Sequence, residues 1–105
     1  MRRFARTDEN QPTIVKVLRK HGCDVLILAA VGNGCPDLLV SRPYYPHHYF
    51  LLEVKNPDKP IADQQLTPDQ VEFHAKWKGP IHIVKTVDEA LDAVGIVRRG
   101  HDRPT

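Results

Sequence analysis

The chain is poor in cysteine: only Cys23 and Cys35 occur among its 105 residues. Two thiols cannot build a disulfide scaffold, and neither stands in a CxxC pair, so free thiols are expected. Long apolar runs are also missing. The longest, Val25 to Val31, is the size of a strand and far short of the ~18 residues that cross a bilayer, which excludes a spanning helix. The N-terminus carries no apolar segment of the signal-peptide kind, so a cytoplasmic location is expected. Repeats and low-complexity tracts are absent as well, and a chain of 105 residues buries roughly two-thirds of its surface as one small domain. Net charge is low, at +2, but unevenly spread. Arg2, Arg3, Arg6, Arg98, Arg99 and Arg103 crowd the ends, which reach +5, while the body between them carries −3. Basic ends on an acidic body suit a protein that holds a phosphate polymer and keeps carboxylates for a cation; solvated tails would give the same pattern.

Glycine and proline divide the sequence into short elements. Asp8, Asn10 and Pro12 precede Ile14, Val17 and Leu18, and Gly22 follows, which reads as a capped amphipathic helix. Val25 to Val31 reads as a fully buried strand, closed by the Gly32-Asn33-Gly34 turn. Asp37 to Ser41 and His48 to Lys55 form a hairpin around the Pro43 and Pro46 break. Asn56 to Leu66 is a polar loop. Thr67-Pro68-Asp69-Gln70 then opens a second helix, reaching to about Lys78, with a capping box. A strand over Pro80 to Lys85 and a short helix, opened by a second capping box at Thr86 and Glu89 and ended by Gly95, complete the order αβββαβα. Hairpin-linked and helix-linked strands together predict a mixed sheet of four strands flanked by helices, an α/β architecture.

The hairpin carries chemistry. With its turn centred on Tyr45, Asp37 lies opposite Glu53, and the two-residue period of a strand sends Lys55 to the same face as Glu53. An E-x-K triplet alone is common and would suit a solvated edge strand. Two carboxylates facing each other about 5 Å apart at Cβ repel, however, unless a proton or cation intervenes. Hard oxygen ligands with room for water suit Mg²⁺. Lys55 beside them would supply positive charge to a phosphoryl transition state.

These residues resemble a known pattern. Cys35-Pro36-Asp37 followed by Glu53-Val54-Lys55 is similar to the P-D … (D/E)-x-K signature of the PD-(D/E)XK nuclease superfamily. More narrowly, from about Asp8 to Leu91 the chain resembles the stand-alone VRR-NUC domains of phages and bacteria. The stretches that carry this are Asn10-Gln11-Pro12, Gly32 to Val40, Leu51 to Lys55, and Leu66 to Gln70 with Phe73, His74 and Trp77. The resemblance implies a restriction-endonuclease-like αβββαβ core with a short C-terminal helix, residues 1–105 as one nuclease domain, and basic tails at 1–7 and 97–105. It implies an endonuclease that hydrolyses DNA, structure-specific for four-way junctions or flaps, and a homodimer of phage or bacterial origin. It further implies that Asp37, Glu53 and the main-chain carbonyl of Val54 bind Mg²⁺ or Mn²⁺, that Asp8 or Glu9 supports the metal through water, and that Lys55 and Gln70 act in catalysis. Gln70 serves equally well as the capping-box partner of Thr67. Two other readings stay open: a restriction-type or single-strand nuclease on the same core, and a nucleic-acid-binding module that does not cut.

The remaining candidates are contacts rather than chemistry. Arg2, Arg3, Arg6, Lys16, Arg19, Lys20, Lys59, Arg98 and Arg99 are placed to meet a nucleic-acid backbone, or equally to face water. Tyr44, Tyr45, His47 and His48 either stack on unpaired bases or cover the edge of the core. Phe73, His74 and Trp77 share a helix face with Gln70 and read as core packing. His21, Cys23, Cys35 and the paired histidines fit no standard zinc spacing.

Overall fold

A computed structural model describes residues 8–44 and 48–98. Among these residues three α-helices, α1 (Gln11–Lys20), α2 (Pro68–Lys76) and α3 (Val87–Ala93), and a single 3-10 turn at Ile61–Gln64 accompany four strands, β1 (Asp24–Ile27), β2 (Leu38–Ser41), β3 (Tyr49–Val54) and β4 (Ile81–Val84). The sheet runs in the order β1-β2-β3-β4. The first three strands pair antiparallel, and β3 pairs with β4 in parallel across the α2 connection. The expected mixed sheet and α/β class are borne out.

One sheet face makes the core. Leu38, Val40, Leu52, Val54 and Val84 point into it and meet Ile14, Val15 and Leu18 of α1 with Ala90, Leu91 and Val94 at α3. Alternation does the rest: Asp37, Leu39, Leu51 and Glu53 are directed to the opposite face, where α2 lies. Among the described residues no helix is long and apolar enough to cross a membrane.

Four local expectations need correction. The first strand is shorter than Val25 to Val31 and is not buried: β1 ends at Ile27, it is an edge strand, and Leu26, Ile27 and Val31 are each about half exposed. A run of apolar residues has the same appearance whether one or two neighbours flank it. Arg19 of α1 covers part of that edge, donating to the Val25 carbonyl at 2.9 Å. The second helix stops at Lys76, because Trp77 is already extended, and it buries no side chain. Asn10 is the N-cap residue of α1 but makes no capping bond. Its Nδ2 donates instead to the carbonyls of Lys55 at 3.1 Å and Lys85 at 2.9 Å, tying the helix to the ends of both parallel strands. At α3, Thr86 caps as expected, but Glu89 accepts from the Lys85 N–H, one residue beyond the capping-box position.

Candidate active site

The β2–β3 register pairs Leu38 with Leu52 and Leu39 with Leu51, so the next step outward faces Asp37 to Glu53. Asp37 donates its N–H to the Leu52 carbonyl at 3.0 Å, and its Oδ2 accepts from the Val54 N–H at 2.7 Å. That second bond fixes the carboxylate across the strand pair. Glu53 is only 1% exposed. Burial first, then its hydrogen bond with Asp37 and the charge of Asp37, push its carboxyl up to about 9; Lys55 opposes the shift, and the charge of Asp8 adds a small further rise. A buried carboxyl beside a second acid favours its protonated form.

Gln70 joins the rest. Its Oε1 accepts from Lys55 Nζ at 2.8 Å and from the Thr67 N–H at 2.9 Å, while its Nε2 donates to Glu53 Oε2 at 3.0 Å. The two alternatives left open for this residue are therefore one arrangement: the capping box that starts α2 also holds the amide between lysine and glutamate. Replacing Thr67 by alanine should remove the acceptor of the Gln70 N–H, 3.2 Å away, and lower stability in urea unfolding by about 1 kcal/mol. Thr67→Ser should keep it.

His74, one turn beyond Gln70, was not singled out for this site by its sequence. Its Nε2 faces Glu53 Oε1 at 3.4 Å. Burial and then the Lys55 charge lower its pKa, which favours the neutral ring at this contact. The signal was present as the i, i+4 spacing from Gln70. Asn10 reaches the site through the Lys55 carbonyl, a bond its sequence does not announce, since a helix-start asparagine ordinarily reads as a local cap. Burial chiefly, helped by Glu53 and Asp37, raises the Cys35 thiol.

The other candidates are spread more widely. Asp8 reaches the neighbourhood of Glu53 and pairs with Lys59 at 3.1 Å, whereas Glu9 faces solvent. Lys16, Arg19 and Lys20 lie on the exposed side of α1. Arg98, expected in the basic tail, folds back onto α3, pairing with Asp92 at 3.0 Å and Asp88 at 3.5 Å. Tyr44 is 95% exposed at the far end of the sheet. Arg2, Arg3, Arg6, Arg99, Tyr45 and His47 lie outside the described residues.

The donor set has a clear character. Among the described residues no group of three or more His, Cys, Asp or Glu side chains could hold a metal ion. Two close carboxylates, one of them buried, leave most of a coordination sphere to water, main-chain carbonyl and substrate phosphate. That fits Mg²⁺, which keeps several waters and takes one or two protein carboxylates, and does not fit zinc.

The architecture that carries this site, a mixed four-stranded sheet with helices on both faces, is the restriction-endonuclease-like α/β fold. Within that class the chain has the fold of a VRR-NUC domain. It is similar to a solved structure described as a VRR_NUC domain, with a TM-score of 0.57 and 22% sequence identity over 78% of this chain and 86% of that one. No protein-family model matches the chain, and no curated protein matches it.

Proposed function

We propose that this protein is a divalent-metal-dependent nuclease that hydrolyses phosphodiester bonds in DNA. The observation that carries the reading is the meeting of Asp37, Glu53, Lys55 and Gln70 at one end of the β2–β3 pair, linked by hydrogen bonds of 2.8 to 3.0 Å at Gln70 and by the register that faces the two acids. Supporting it are the likeness in fold to a VRR_NUC domain and the resemblance of the P-D and E-x-K segments.

Asp37, Glu53 and the Val54 carbonyl would hold Mg²⁺ or Mn²⁺, with Asp8 in support through water. The bound cation would supply Lewis-acid polarisation of the phosphoryl group and a lowered pKa for the attacking water. The chain's own residues set the geometry. Lys55, 7% exposed and held by Gln70, presents its ammonium beside the carboxylates, where charge accumulates on the phosphoryl oxygens in the transition state; in a site with little water that interaction is strong. Gln70 keeps Lys55 and Glu53 in register, and the Val54 N–H does the same for Asp37.

The substrate reading is finer: branched DNA, a four-way junction or a flap, cut by a homodimer that presents two sites to opposed strands. Cleavage of matched linear, flap and four-way substrates with and without Mg²⁺ tests this. The wild type should cut branched substrates first and only with the metal, and Asp37→Asn should retain its fold and lose cutting. Unimpaired cleavage by Asp37→Asn would remove the enzymatic reading, and a monomer in sedimentation that prefers linear duplex would remove the dimeric junction reading. A protein that binds every substrate and cuts none, with Glu53→Gln binding equally well, would be a binding module.

A further inference from the structure

Beside the acids, on the same sheet face, lies an apolar cavity of about 340 Å³. Its floor is the cross-strand pair Leu39 and Leu51, each two residues along its strand from Asp37 and Glu53, a displacement of about 7 Å. Pro36, directly before Asp37, lines it as well, and so do Phe73 and Trp77. The volume is at the small end of ligand pockets, and no charged side chain lines it.

The aromatic wall has no structural explanation in the core. Helix α2 buries no residue. Phe73 and Trp77 stack with ring centroids 5.5 Å apart and planes 17° from parallel, and Trp77 remains 49% exposed. An indole held on one side by a phenyl ring, with about half its surface open to water, is a stacking platform.

We infer that this cavity receives a nucleobase of the strand being cut, stacked against Trp77, and that the substrate is therefore DNA with an unpaired nucleotide next to the scissile phosphate. The inference rests on the nuclease reading and narrows its substrate: a fully paired four-way junction lacks the required nucleotide, whereas flap DNA supplies it. A strand whose phosphate sits at Asp37 and Glu53 carries its neighbouring base within about one strand step of the cavity mouth. A paired base is stacked inside its duplex and cannot enter; a base already single-stranded enters at least cost. The lining offers no cation to a phosphate or an acidic peptide, whereas a base has a π-face and needs none.

Trp77 is the single tryptophan of the chain, so its fluorescence reports on the cavity directly. The wild type is titrated, without divalent metal and at fixed ionic strength, with a short oligothymidylate and with a blunt duplex of the same length. The oligothymidylate should quench the indole and the duplex should leave it nearly unchanged. By anisotropy with labelled oligothymidylate, Trp77→Ala should bind about tenfold more weakly and Trp77→Phe close to wild type. Equal or absent quenching by the two ligands overturns the inference, as does unchanged affinity in Trp77→Ala. Quenching that depends on protein concentration alone, with self-association in sedimentation, overturns it in favour of a second copy on this face. Because the titration needs neither metal nor cleavage, it separates from the parent reading: quenching without any cutting activity sinks the nuclease, and cutting without quenching sinks the base pocket. If Trp77→Ala does not fold, the wild-type titration still decides.

Discussion

Glu53→Gln should abolish DNA cleavage, by a factor on the order of a thousand, and at the same time make the metal-free protein more stable. The second half follows from burial. Unfolded, Glu53 loses its proton near the ordinary 4.5; folded, it keeps it up to about 9. Between those values the folded chain binds a proton that the unfolded chain does not, so wild-type stability falls as pH rises through this window. Glutamine has nothing to titrate and offers an amide of the same shape to Gln70 and Asp37. The variant's advantage should be near zero around pH 4, grow with pH, and reach about 1–3 kcal/mol at pH 8. Mg²⁺ should narrow the gap by stabilising only the wild type. Urea unfolding across pH, with and without Mg²⁺, checks all three statements. A variant less stable than wild type at pH 8 in metal-free buffer would show that Glu53 is ionised and satisfied in the fold.

Gly34→Ala carries the other large effect. Gly34 has φ +79°, and a Cβ there would overlap the Asp69 carbonyl and come within 2.8 Å of the Gln70 nitrogen. These are backbone atoms of the first turn of α2, so no side-chain rotation relieves the clash. Gly32, two residues earlier, has nearly the same φ, +76°, with nothing within 4 Å of an added Cβ. Comparing the two alanine variants separates strain from contact. Gly32→Ala should cost about 1 kcal/mol, the penalty of a left-handed residue. Gly34→Ala should cost about 2–4 kcal/mol and should also lose cleavage, because α2 must retreat and take Gln70 away from Lys55 and Glu53. Equal stability losses in the two variants, or full cleavage by Gly34→Ala, would show that the turn does not set the position of α2.

Much of this site could be read from the chain because local rules and the fold agree there. Alternation in Asp37 to Ser41 and His48 to Lys55, with prolines marking the break, defined the register that faces Asp37 to Glu53, as found. The Thr67 to Gln70 pattern announced a capping box, as found. What escaped depended on neighbours remote in sequence. Whether Val25 to Ile27 has one flanking strand or two is a property of the sheet, not of those residues. Helical periodicity showed that Phe73, His74 and Trp77 share a face but not that this face lies over a site and a cavity rather than a core. Asn10 was drawn from its local capping role by carbonyls 45 and 75 residues away.

That last bond has a consequence for the order of events at birth. The asparagine that opens the first helix waits for a carbonyl 75 residues further along the chain, and the amide of Lys55 likewise needs Val84. A growing chain on the ribosome can fold its first hairpins well before either partner emerges. Its acids and lysine would then be present but unclamped. Competence arrives only after Val84 and Lys85 have been made, so products truncated before them should carry the motif without the reactivity.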